Sequence, residues 1–115
     1  MYKKIALIGV MAALSCNAFS STNSIELAKR SHQLSVNLDK ASNIELNEFC
    51  QFTLAGASAV ADEAGKGYMS NNIDYAKSMM KSVSQDLAYT AVENCSQSAS
   101  ISMYKKEADS ILANS

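Results

Sequence analysis

The chain has 115 residues, a formal net charge of −1, three cysteines, one histidine, four glycines, and neither proline nor tryptophan. The length holds one domain. At ordinary usage a chain of this size carries roughly six prolines and about eight glycines, and turn-rich β-sandwiches and barrels depend on both. The composition therefore excludes those folds, and the near-neutral charge leaves no basic footprint for nucleic acid.

In chain order the first element is an address rather than a fold. Met1-Tyr2-Lys3-Lys4 is a basic start, Ile5 to Leu14 is apolar, and Ser-Cys-Asn-Ala-Phe-Ser closes the segment with small and polar residues. This is the three-part pattern of a bacterial secretory signal. Its apolar core is shorter than the ~20 residues a spanning helix needs. Two processing routes fit residues 1–20. Signal peptidase accepts small residues at −3 and −1, which cleavage after Ala18 or after Ser20 satisfies. Ala13-Leu14-Ser15-Cys16 also resembles a loose lipobox, in which Cys16 would be acylated and the protein tethered to a membrane without spanning it. The sequence thus points to a periplasmic or secreted protein, with a membrane-anchored lipoprotein of structural envelope role as the alternative.

Either route removes or acylates Cys16 and leaves Cys50 and Cys95, an even pair in an oxidising compartment, for which a disulfide is the expected state. There is no C-x-x-C to lower a thiol pKa. The mature residues 21–115 carry eight basic and eleven acidic side chains, a net charge of −3, and form one helical domain.

The mature chain reads as about four helices in a small bundle. The first is expected over Ser24–Val36, capped by Asn23, with Ile25, Ala28 and His32 on one face. Ser42-Asn43-Ile44-Glu45 has the S-x-x-E form of a capping box and predicts the start of the second helix. Leu46, Cys50, Thr53, Ala57, Val60 and Ala64 then recur at helical spacing, widened by Phe49, Leu54 and Ala61. Gly65 and Gly67 are placed at its end. A third helix from Asn71 or Asn72 carries Ile73, Ala76, Met80, Val83, Leu87, Ala91 and Cys95 on one stripe. Ser96–Ser100 reads as a break, and a last helix presents Ile101, Tyr104, Ala108 and Ile111 or Leu112.

Straight helices would not bring the two cysteines together. With a turn between Ala64 and Asn71, Cys95 overshoots Cys50 by roughly 15 Å, whereas bonded cysteines have Cα atoms within ~7 Å. The sequence therefore points to a kink at Gly56, a break near Lys81–Ser84, a longer connection, or a shifted turn at Gly65–Ser70, in preference to an intermolecular disulfide.

The residues that carry chemistry elsewhere lack their partners here. His32 has no G-x-S-x-G nucleophile context. Asp62 and Glu63 are adjacent on a helix and so do not face each other as paired carboxylates do. Met69, Met79, Met80 and Met103 suit a soft metal by type but read as core filler or adaptable surface. The expected reading is therefore no enzyme, no catalytic residue, no cofactor and no metal. Phe49 and Phe52 do not both fit the narrow stripe, which makes them the candidate contact for a protein partner.

A signal peptide, a short helical domain and two cysteines some 45 residues apart resemble the general plan of periplasmic acid-stress chaperones. The run Phe49-Cys50-Gln51-Phe52-Thr53-Leu54-Ala55-Gly56, followed by Ala61-Asp62, is similar to the cysteine-containing helix of immunity proteins that neutralise cell-wall-degrading effectors of type VI secretion. The second resemblance covers about fifteen residues dominated by alanine and glycine, and neither transfers residue roles. The function expected is binding of a protein partner, as an immunity-type inhibitor, a stress chaperone or an accessory subunit of an envelope assembly.

Overall fold

The computed structural model describes the backbone of residues 2–90 and 94–115 and the side chains of residues 23–90 and 94–115. Among these residues the chain forms four helices and no strand: α1 (Tyr2–Ile44), α2 (Glu48–Met69), α3 (Ile73–Thr90) and α4 (Ser98–Ala113). Each helix packs on the next and α4 returns to α1, so the ring of contacts closes around one core. The all-α bundle read from the sequence is the observed architecture. The expected secretory signal, its expected cleavage sites and Cys16 lie outside the residues whose side chains are described. Among the described residues no helix is long and apolar enough to cross a membrane.

The expected stripes of α3 as far as Leu87 and of α4 face the core, while Ala91 lies outside the described residues. Ala76, Met80, Val83 and Leu87 of α3 meet Ile101, Ala108 and Ile111 of α4 in the core, with Ile73, Tyr104 and Leu112 packed at its edge. In α2 the core residues are Cys50, Leu54, Ala57, Ala61, Ala64 and Tyr68. Of these, Ala57, Ala61 and Ala64 are small and let α1 come close.

α1 departs from expectation. It continues to Ile44, and its inward face is Leu27, Ala28, Ser31, Leu34, Ser35, Leu38, Ala41 and Ser42, while Ile25 and His32 face solvent. The stripe is hard to read because serines fill it. A buried hydroxyl needs a partner, and each of these has one. Ser31 Oγ donates to Leu27 O at 2.8 Å. Across the α1–α2 contact, Ser35 Oγ lies 2.7 Å from Ser58 O and Ser58 Oγ 2.7 Å from Ser35 O, a reciprocal pair. These serines act as small core residues with their polarity already satisfied.

Three local expectations are corrected. Ser42-x-x-Glu45 does not cap α2. Ser42 sits in the last turn of α1 and donates to Gln51 O at 2.9 Å, and α2 is capped by Asn47, whose Oδ1 accepts from Cys50 N at 3.2 Å. Leu46 therefore lies in the α1–α2 connection, not on the core stripe. Gly65 and Gly67 do not end α2, which runs on to Met69 before Asn71 takes the left-handed conformation, φ 59°. Finally, α2 passes through Gly56 and α3 through Lys81–Ser84 without interruption. The cysteine offset is resolved because Cys95 is not on α3: it lies in the non-helical segment before α4, with its Cα 5.8 Å from that of Cys50.

The glycines of α2 serve different ends. A Cβ on Gly67 would stand 2.9 Å from Ala76 Cβ and 3.1 Å from Ala76 Cα, where α2 packs on α3, whereas one on Gly56 would meet nothing within 4 Å. The two Gly→Ala changes are thus expected to have opposite signs. Gly56→Ala should stabilise by about 0.5–1 kcal/mol through helix propensity. Gly67→Ala should destabilise by about 1–2 kcal/mol, because overpacking outweighs that gain. Urea denaturation midpoints of the two variants check this.

Candidate functional site

Five of the large exposed apolar side chains among the described residues gather at one end of the bundle. This end is built from the α1–α2 connection, the first turns of α2, the end of α3 and residues 94–97. Ile44, Leu46, Phe49, Phe52 and Tyr89 are all exposed there, Leu46 at 85% and Phe52 at 78%. Phe49 and Phe52 are three residues apart on α2 and so share its outer side. The Phe49 ring packs on Tyr89 of α3, with centroids 5.7 Å apart and planes tilted by 53°. Phe52 borders a shallow groove with Ser42, Gln51 and Ala55. Isolated exposed apolar residues are ordinary on small domains, whereas here several large ones share one end of the bundle.

Directly behind this surface the backbone is held by two devices. The first is the cysteine pair: Cys50 at the start of α2 and Cys95 before α4 have sulfurs 1.97 Å apart, at disulfide bonding distance, and both are buried. The second is Glu45, whose side chain is almost wholly buried. Its carboxylate accepts from Leu46 N at 2.7 Å, Ser96 N at 2.8 Å and Gln97 N at 3.0 Å, and from the Ser96 hydroxyl. Burial pushes the carboxyl pKa up, but these hydrogen bonds, led by the Ser96 hydroxyl, outweigh it and bring the value from 4.5 down to about 2. Glu45 thus stitches the α1–α2 connection to the segment carrying Cys95.

Glu45, Cys50 and Cys95 place a carboxylate oxygen and two sulfurs within 4.8 Å of one another. Metal ligation needs free thiolates and an open carboxylate. Here the sulfurs are bonded to each other and the carboxylate is occupied by N–H and O–H donors, so the cluster works as a brace.

The other residues singled out from the sequence are scattered. His32 is exposed on α1, with Nδ1 3.3 Å from Asp62 Oδ1. Lys66 Nζ lies 3.6 Å from Asp62 and 3.2 Å from Glu63, and Tyr75 Oη donates to Glu63 at 3.2 Å. Met80 is in the core, Met79 packs at its edge, and Met69 and Met103 are exposed on different helices.

Sequence reasoning singled out Phe49 and Phe52, which are exposed, but not Glu45, Ile44, Leu46 and Tyr89 around them. Glu45 was assigned to the capping box, and Leu46 fitted the α2 spacing by coincidence. Tyr89 carried a usable signal: it lies two residues past Leu87 and therefore off the inward stripe of α3. Comparison of the chain with family models, with curated proteins and with solved structures found no match.

Proposed function

We propose that the mature chain is a small secreted, periplasmic helical protein that acts by binding a protein partner and carries no catalytic site. The observation that supports this reading is the exposed apolar end, with Phe52 as its most prominent aromatic, seated on a backbone braced by Cys50–Cys95 and Glu45. Aromatic residues held on rigid supports are the usual anchors of protein interfaces, because little side-chain or loop entropy remains to be lost on binding. Immunity-type inhibition, chaperoning of envelope proteins and a role as accessory subunit all use such a surface, and the neighbouring gene distinguishes them: an effector-like toxin beside it favours immunity.

Phe52→Ser tests the reading. The side chain is mostly in solvent, so folding stability should change by less than about 0.5 kcal/mol. A periplasmic protein that co-purifies stoichiometrically with the wild type should be lost from the variant. Equal recovery with both proteins would contradict the proposal. Mass spectrometry of the processed N-terminus tests the compartment: a chain beginning after Ala18 or Ser20 is expected, and an acylated Cys16 would replace the soluble reading with the lipoprotein one.

A further inference from the structure

Toward the opposite end of the bundle, α1 and α2 leave a groove of about 300 Å³ between them. Its floor is Ala28 and Gly65, with the exposed Met69 at its edge. The floor is apolar because Gly65 lets the helices close: a Cβ there would stand 3.3 Å from Ala28 O. Its rim carries Lys29, His32, Asp62 and Lys66. The volume is at the lower end for small-molecule sites, which pair an apolar lining with a few polar groups that fix orientation.

The rim charges are not balanced. Asp62 is its one carboxylate and is already shared, with His32 Nδ1 at 3.3 Å on one oxygen and Lys66 Nζ at 3.6 Å on the other. Glu63 also engages Lys66, but does not line the groove. Lys29 makes no ion pair among the described residues. A ligand that fits must bring an apolar body to the floor and a negative group to Lys29. We propose that the α1–α2 groove binds a small amphiphilic carboxylate, its tail lying on Ala28, Gly65 and Met69 and its head meeting Lys29.

The chain's single histidine makes the test direct, because the His32 imidazole resonances report on the rim alone. The full mature protein is titrated at fixed pH with octanoate, with acetate and with octyltrimethylammonium. Octanoate should shift the His32 signals saturably with a dissociation constant of about 1 mM or below. Acetate, which lacks the tail, and the cationic amphiphile should each bind at least about tenfold more weakly. Lys29→Glu should weaken octanoate by a similar factor, while Lys77→Glu, on α3 and away from the groove, should leave it unchanged. No saturable shift with octanoate, equal binding of all three probes, or full binding by Lys29→Glu would each overturn the proposal.

Discussion

Replacing Cys50 and Cys95 together by alanine is expected to lower the free energy of unfolding by about 2–4 kcal/mol. The two residues are 45 positions apart, and closing a loop of that length in the unfolded chain is worth about 4 kcal/mol by the chain-entropy argument. Part of this is offset because the native contacts near Glu45 hold the same segment without the bond. Alanine is the informative replacement, since both sites are buried and a serine hydroxyl there would need a new partner. Urea titration of oxidised wild type and of the double variant measures the effect. The variant should also show a larger dependence on urea, because its unfolded chain is free to expand. A loss below about 1 kcal/mol, against that estimate, would mean that the brace is redundant.

Glu45→Ala is expected to destabilise by about 1–3 kcal/mol, since it removes the charged acceptor that ties the backbone N–H groups of Leu46, Ser96 and Gln97 together. Glu45→Gln should recover little of this, because its amide NH₂ would face N–H donors. The carboxyl pKa is depressed from 4.5 to about 2 in the folded chain. A depressed carboxyl contributes stability that is complete above its unfolded value and is lost as pH falls through the folded one. Wild-type stability should therefore fall as pH drops from about 4.5 to about 2, and the Glu45→Ala curve should be flatter across that window. Parallel curves would show that Glu45 does not titrate as the latch. Because Glu45 and the cysteine pair restrain the same segment, their removal should be non-additive in a double-mutant cycle.

The parts of the fold legible in the sequence were those where side-chain type and burial agree. Ala76, Met80, Val83 and Leu87, and Ile101, Ala108 and Ile111, stand at helical spacing and are buried as that spacing predicts. α1 was obscured because Ser31, Ser35 and Ser42 occupy core positions, their hydroxyls bonded to helix carbonyls. Pattern reading treats serine as polar and so loses the stripe. The capping box failed for a related reason. Ser42 and Glu45 have the right spacing, but Glu45 finds better donors in Ser96 and Gln97, about fifty residues away, and only tertiary structure brings those near. The cysteine pairing was legible from parity and from the compartment that residues 1–20 lead one to expect, while the route by which Cys95 reaches Cys50 depended on where α3 ends before α4.

Phe49 and Phe52 were legible as residues that did not fit the core, but their company was not. Ile44 and Leu46 become surface only because α1 runs longer and α2 starts later than local signals imply. Tyr89 joins them through the packing of α3 on α2, where its ring meets Phe49. The apolar end is thus a product of how the helices are fastened.

The claim that this end is the binding surface is tested most directly by site-specific photocrosslinking in the cells that make the protein. A benzophenone amino acid is placed at position 52 and, in a second variant, at position 77 near the other end of α3. The account predicts one discrete protein adduct from position 52 and none of that mass from position 77. The same adducts from both positions, or none from position 52 in cells where the protein is folded and secreted, would contradict it.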